Sequence, residues 1–342
     1  MREVAYKQLK TFLSRLMRRE DLSVTEASAF LQALSDNRAT DNQIVASLIA
    51  MVLKGETIEE LGGMVAALRE DAAIIISKHE RMIGIADTGL NASKPFNLFT
   101  AAAIVVAGAG LPVVRQINSG YSRFGKDLED LGVRVDASSE IAEACLNDLG
   151  ICFISARSYH PLVKRIADVR QDIGVATTFN LLEALLNPAG SLHHIIGVWH
   201  VGLIKPCARA LIKLGVERAW VVHGMDGLDT VTISDNTIVA EAYRGKVTTF
   251  ELMPEDFGVQ RSSFQHLYHA GAEMNTGITR AVLKGERRDR ARSLVVVNAA
   301  ACLFFSRACS SLKESVKRAE ESIDSGADYA KLLQLAEATN SE

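Results

Sequence analysis

The sequence predicts an α/β protein: an N-terminal helical bundle followed by a large α/β domain whose mainly parallel central sheet is covered by helices. Three observations carry this expectation. Residues 1–70 place apolar side chains at helical spacing between clear capping signals. From about residue 80, short apolar runs alternate with helical stretches, the order that builds a parallel, helix-covered sheet. The chain has 342 residues, 48% of them hydrophobic and 23% charged, enough to fill one large core and a smaller one. The division falls near residue 75, giving a helical domain over 1–75 and an α/β domain over 76–342 whose last helices return to the small domain.

The elements follow in order. Tyr6, Leu9, Phe12, Leu13 and Leu16 recur on one helical face. Ser23-Val24-Thr25-Glu26 and Thr57-Ile58-Glu59-Glu60 read as capping boxes, in which a hydroxyl accepts from the third amide and the glutamate reaches back. Thr40 opens a helix carrying Ile44, Leu48, Met51 and Val52, and Gly55 is a natural stop for it. Three or four short capped helices result. Beyond them, strands are expected at 82–86, 111–116, 133–135, 151–154, 195–198 and 220–222. Helices are expected at 97–109, 126–131 and 202–214. The segment 231–250 alternates in polarity and holds turn residues, which predicts antiparallel strands added to the sheet. The tail from Asp289 is helical, and the strongly apolar stretch 294–305 belongs in the core.

Bulk properties remove several classes of function. A net charge of −3 gives no global attraction for nucleic acid. The five cysteines (Cys145, Cys152, Cys207, Cys302 and Cys309) show no CxxC and read as reduced, buried thiols of a cytoplasmic protein. The N-terminus is basic and amphipathic without a continuous apolar h-region, so no signal peptide is expected. The longest apolar run, 99–114, is interrupted by glycine and proline and is too short for a bilayer. No HExxH occurs, and no zinc is expected.

The chemistry concentrates between residues 159 and 232. This stretch includes YHPLVKRIADVRQDIG (159–174) and HGMDGLDT (223–230). With VTEASAFLQALSDNRATDNQIVASLIAMVLKGETIEELGGMVAALR (24–69) and MNTGITRAVLKGE (274–286), its order and spacing resemble the anthranilate phosphoribosyltransferase family. Members of that family move ribose 5-phosphate from phosphoribosyl pyrophosphate (PRPP) onto an aromatic amine. The resemblance covers nearly the whole chain. It implies a homodimer formed through the helical domain and a cleft between the two domains.

The resemblance also implies a site. The family's Gly-Thr-Gly-Gly-Asp loop, whose amides bind pyrophosphate, falls on Asp87-Thr88-Gly89-Leu90-Asn91, so Thr88 and Gly89 are retained and Asp87 brings a carboxylate. Asp87 alternatively makes an ordinary turn after a strand. The family's Asn-x-Ser-Thr falls on Asn97-Leu98-Phe99-Thr100, where Asn97 and Thr100 suit a phosphate at a helix start, or Asn97 is a simple N-cap. Arg115, Asn118, Ser119 and Ser122 correspond to the Lys-His-Gly-Asn loop and its serine-rich sequel. His160 and Arg170 lie on the acceptor side. Arg170 is placed to hold a carboxylate in two-pronged fashion, or else to make a helix-surface pair with Asp168 or Asp172. The family's Gly-Pro-Leu is Glu183-Ala184-Leu185. Its Asp-Glu metal pair is Asp229-Thr230, which leaves one carboxylate for Mg²⁺; Asp226 and Asp229 can equally be turn residues. No residue is assigned a catalytic role.

The expected function is a glycosyl or phosphoribosyl transferase with PRPP or a related phosphorylated pentose as donor and an acidic aromatic or similar acceptor, its site diverged. The alternative is a non-catalytic paralogue that binds nucleic acid or a phosphorylated ligand through the basic run Arg280, Lys284, Arg287, Arg288, Arg290 and Arg292. Nucleoside phosphorylase chemistry, which shares the fold, ranks last because no lysine-and-serine phosphate signature is present.

Overall fold

The computed structural model describes residues 2–36, 38–89, 96–118, 124–264, 267 and 272–341. The helical layer consists of α1 (Arg2–Met17), α2 (Val24–Ser35), α3 (Asp41–Lys54) and α4 (Ile58–Asp71). Both expected capping boxes form. The Glu26 amide donates to Ser23 Oγ at 3.3 Å and the Ser23 amide to Glu26 at 2.9 Å. Thr57 and Glu60 exchange the same bonds at 3.1 and 2.8 Å. Thr40, the expected helix start, forms a third box with Gln43. Gly55 ends α3 at φ 84°, where a side chain is disfavoured. Glu60 is fully buried, because it also accepts from the Leu22 amide at 2.8 Å and pairs with Lys54 at 2.9 Å. Gly63 lets α2 cross α4 closely: a Cβ there would stand 2.2 Å from the Val24 carbonyl oxygen.

The sheet follows with β1 (Ile83–Asp87), α5 (Leu98–Gly108), β2 (Val113–Ile117), α6 (Phe124–Asp130), α7 (Ser139–Ala144), β3 (Ile151–Ser155), α8 (Ala156–Tyr159), α9 (Pro161–Ile173), α10 (Thr178–Leu186), β4 (His193–Gly197), α11 (Ile204–Lys213), β5 (Arg218–Gly224), β6 (Thr237–Tyr243) and β7 (Lys246–Leu252). The strand order is β3-β2-β1-β4-β5-β6-β7. The five strands from β3 to β5 are parallel, and β6 and β7 add antiparallel, as expected for 231–250. The chain ends in α12 (Ala272–Leu283), α13 (Arg290–Phe305), α14 (Leu312–Asp324) and α15 (Ala327–Asn340).

One expected strand is absent. Residues 133–135 form no ladder; the Val133 amide returns to Leu128 O at 2.9 Å and closes the end of α6. Gly132, at φ 93°, turns the chain there, so the valine is buried as a helix-ending contact rather than as part of a sheet.

Side chains alternate across the sheet. Ile83, Ile85, Ile195, Trp220 and Val222 pack into one core with α5 and α13. Ala86, Ile196, Ala219 and Val221 pack into the other, with the N-terminal helices, α9, α10 and α11. This period of two, with both faces covered, is why the strands read as near-continuous apolar runs. Arg69 at the end of α4 donates to Leu186 O at 2.8 Å and Leu214 O at 3.0 Å, tying the helical layer to the carbonyl ends of α10 and α11. Among the described residues no helix is long and apolar enough to cross a membrane.

Candidate functional site

The chain leaves β1 for β2 and β3 on one side and returns to β4 on the other. In open α/β sheets such a reversal opens a crevice at the carboxyl ends of the strands. Those ends are Asp87 of β1, Ile117 of β2, Gly197 of β4 and Gly224 of β5. The structure brings Thr88, Gly89, Asn97, Thr100, Arg115, Asn118, Arg170 and Asp229 to this edge as buried residues or, for Gly89, as a buried turn.

Asp87 follows from the strand register. Ile85 pairs with Arg115, and Asp87 lies two residues on, so its side chain is on the same face as the arginine. The carboxylate meets the guanidinium at 2.5 Å, with both side chains 1% exposed. The other Asp87 oxygen accepts from the Gly89 amide at 3.0 Å, which is the turn anticipated from the sequence. Arg115 also donates to Ile85 O and Gln116 O, and its guanidinium stands 5.8 Å from the centre of the Phe99 ring. Gly89 is at φ 73°, and a Cβ there would lie 2.8 Å from the Asn118 Cβ, so the position tolerates only glycine without a shift.

Arg170 is the centre of a second network. It donates to Glu183, to Thr177 Oγ1 at 3.1 Å, to Asn118 Oδ1 at 3.1 Å and to Asn180 Oδ1 at 3.2 Å. This corrects the surface alternative: Asp168 pairs instead with Arg157, at 3.1 Å, and Arg170 is 2% exposed. Its guanidinium already holds a carboxylate, that of Glu183. Asn180 also donates to Thr88 O at 2.8 Å, and Asn118 donates to Asn180 O at 3.0 Å. The sequence reading missed Thr177 and Asn180; their T-x-x-N spacing at a helix start after Gly174 was the available signal, and the Thr177 amide donates to Asn180 Oδ1 at 3.0 Å.

Asn97 caps α5, its Oδ1 accepting from the Thr100 amide at 3.3 Å. Its Nδ2 and the Thr100 hydroxyl are buried and have no partner among the described residues. Thr88 spends its amide and hydroxyl on Gly197 O, at 3.1 and 3.3 Å, so it locks β1 to β4. Asp229 crosses the end of β4: a Cβ on Gly197 would lie 1.7 Å from Asp229 O and 2.9 Å from the Phe99 ring. The neighbouring Thr230 hydroxyl is buried without a partner among the described residues. Asp226 proves to be a turn residue, accepting from Ser234 Oγ at 2.5 Å, the Leu228 amide at 3.2 Å and Thr232 Oγ1. No group of three or more His, Cys, Asp or Glu that could hold a metal occurs among the described residues. Asn91, Ser119 and Ser122 lie outside the described residues.

His160 opens α9 and is buried. Its Nδ1 accepts from the Leu162 amide at 3.1 Å, capping α9, and burial pushes its pKa down. Thr178 reaches the helical layer by donating to Glu56 at 2.5 Å; burial raises the pKa of that carboxyl. The basic run over 280–292 is dispersed in local pairs. Arg287 pairs with Asp289, Arg288 and Arg292 both with Asp324 at 2.8 and 2.9 Å, and Lys284 approaches Glu286 at 3.8 Å. Arg280 and Arg290 donate to the carbonyls of Asp130 and Ser263.

The chain is similar to known proteins along nearly its whole length. Residues 79–329 match the model of the glycosyl transferase family, a/b domain, and residues 10–72 match its helical bundle domain. The anthranilate phosphoribosyltransferase of Persephonella marina is 37% identical over 96% of this chain and 98% of its own length. That of Azorhizobium caulinodans is 39% identical over 93% of each. The crystal structure of the Thermus thermophilus anthranilate phosphoribosyltransferase superposes with a TM-score of 0.85 at 31% identity, covering 96% of this chain and 99% of that one. The Saccharomyces cerevisiae enzyme in complex with PRPP and Mg shares the fold at 23% identity and a TM-score of 0.86, covering 98% of this chain and 99% of that one.

Proposed function

Because the chain belongs to the anthranilate phosphoribosyltransferase family of glycosyl transferases, we propose that its cleft transfers a phosphorylated pentose from a PRPP-like donor to a small acidic acceptor. The observation that carries this reading is the first turn of α5. There the Asn97 amide nitrogen and the Thr100 hydroxyl are buried without partners, at the positive end of an eleven-residue helix beside the sheet's switch point. A buried polar atom is costly unless something bonds it, so this turn is built to receive an anion such as a phosphate.

The remaining residues have supporting parts. Thr88 and Gly89 shape the turn after β1, and Gly89 keeps the backbone clear of Asn118. Arg115 and Arg170 reach a ligand only through a change in their present pairs with Asp87 and Glu183. Asp229 with Thr230 offers oxygen ligands of the kind Mg²⁺ prefers, and such an ion would be completed by donor oxygens. A bound Mg²⁺ would offset negative charge on the departing group. The acceptor would enter between α9, α10 and the helical layer, where Arg170, Asn118 and Asn180 meet. We further place the domain division near residue 75 and expect a homodimer through the helical domain. The protein is to be assayed with PRPP, anthranilate and Mg²⁺, following both acceptor consumption and melting temperature. Turnover, or stabilisation by PRPP, supports the reading. No turnover with a panel of acidic aromatic amines, and no thermal shift with PRPP, would overturn it.

A further inference from the structure

The amino edge of the sheet, at the opposite end of the parallel strands from the cleft, holds a second collection of charge. His193 of β4, Arg218 of β5 and Tyr243 of β6 are register partners across neighbouring strands, so their side chains stand side by side on one face. The end of α13 covers this row. Arg218 donates to Phe305 O at 2.8 Å and, through two nitrogens, to Glu241 Oε1 at 2.8 and 2.6 Å. Its charge is balanced within the fold. Arg244 and Arg307 stand 5.0 and 5.6 Å from the centre of the Tyr243 ring, beside Arg218 at 5.6 Å. Neither has a carboxylate partner among the described residues. Arg307 follows α13 at φ 59°, a left-handed position that glycine takes at less cost. It donates to the Tyr243 hydroxyl at 3.2 Å, which leaves the phenolic hydrogen to donate elsewhere.

A cavity of about 430 Å³ opens beside this cluster, within the roughly 300–1,000 Å³ of small-molecule sites. Arg81, Arg218, Arg307, His193 and Tyr243 line it, with Met82 and Leu192 as apolar wall. Glu80 and Glu217 also line it, but both are exposed and neither pairs with an arginine among the described residues. Burial pushes the pKa of His193 down; Glu217 opposes this, and the charges of Arg218, Arg307 and Arg81 push it further. Guanidinium groups crowded about one ring repel one another, and an anion between them relieves that repulsion.

We propose that this cavity is a binding site, separate from the cleft, for a small phosphate monoester. The phosphate lies among Arg307, Arg218 and the Tyr243 hydroxyl, with Arg81 and Arg244 adding charge. The organic part lies against Met82 and Leu192. A tetrahedral dianion with three terminal oxygens uses more of these diverging donors than a flat carboxylate does.

Trp220 is a local reporter, because its indole donates at 3.0 Å to the Glu241 oxygen that Arg218 also holds. Trp199→Phe removes the other tryptophan. The full-length protein is titrated with inorganic phosphate, glycerol 3-phosphate and acetate at constant ionic strength while Trp220 emission is followed. The expected result is a saturable change with half-saturation by glycerol 3-phosphate at about 1 mM or below, and acetate weaker by about tenfold or more. Arg307→Gln weakens glycerol 3-phosphate by about tenfold, whereas Thr100→Val, in the cleft, leaves it unchanged. Arg244→Gln, in an exposed turn, also weakens it and decides the matter if Arg307→Gln fails to fold. The absence of a saturable change by about 10 mM ligand overturns the proposal, as does acetate bound as tightly as the ester. A response to inorganic phosphate alone marks an adventitious ion only and also overturns it. Loss of the signal in Thr100→Val, with folded arginine variants unaffected, assigns the phosphate to the cleft and removes the second site.

Discussion

Asp87 and Arg115 form an ion pair across the neighbouring parallel strands β1 and β2, 2.5 Å apart, each side chain 1% exposed. The Asp87 carboxylate in the turn after β1 therefore has a local reason to be there: it neutralises a buried arginine. Glu183 stands in the same relation to Arg170 one layer away, between α10 and α9. Replacing one member of such a pair differs in kind from replacing both.

Arg170→Met or Glu183→Leu alone is expected to lose about 3–5 kcal/mol of stability, because each leaves an uncompensated buried charge. The double variant should recover most of that loss, since hydrophobic residues of similar volume often replace a buried pair at little cost. Urea unfolding of the four proteins measures the coupling. Additive losses would show that the two side chains act independently.

Thr100→Val removes a buried hydroxyl that has no partner among the described residues and keeps the shape. Its melting temperature should be unchanged or higher, while phosphate binding weakens by about 0.5–1.5 kcal/mol. Asn97→Ala should weaken binding too, but also cost about 1 kcal/mol of stability through the lost cap. Equal stability losses in both variants, with no change in binding, would assign the turn a purely structural role.

Gly197→Ala places a methyl group 1.7 Å from the Asp229 carbonyl oxygen, a backbone atom that cannot rotate away. The expected cost is about 1–3 kcal/mol or more. Displacement of Asp229 should also weaken any Mg²⁺ dependence of ligand binding. Thermal unfolding and titration with and without Mg²⁺ check the two parts; a variant as stable as the wild type would show that the segment at Asp229 moves freely.

His194 is buried, and burial pushes its pKa down to about 3 from the usual 6.5. The unfolded chain therefore takes up a proton near pH 6.5 that the folded protein refuses. Stability from this residue is fully present above about pH 6.5 and is lost as pH falls through that value towards 3. His194→Leu should flatten this limb, with the difference in melting temperature between variant and wild type growing in the variant's favour from pH 7 to pH 4. A constant difference across that range would exclude the titration.

The residues that read correctly from sequence were those whose roles are local. Ser23 with Glu26, Thr57 with Glu60, Asn97 as a cap and Gly55 as a stop each involve partners a few positions apart. The error at 133–135 had the same origin: a short apolar run after a helix looks alike whether it joins a sheet or closes a helix end. The sequence suggests that Arg170 holds a carboxylate, and the structure supplies one from the chain itself. That carboxylate, Glu183, is thirteen residues away on another helix, whereas Asp168 and Asp172 are neighbours of Arg170 on its own helix.

The sequence by itself determined the two-part architecture, the parallel sheet with its antiparallel extension and the family, because hydrophobic period, caps and motif order are properties of the chain. Only the tertiary structure decided which charges in the cleft are already matched. Asp87 meets Arg115 because parallel pairing sets Ile85 beside that arginine. Glu183 meets Arg170 because α9 and α10 bring their buried faces together. Burial then gives each encounter its weight, since a charge that could wander freely in water must find a partner once the solvent is gone.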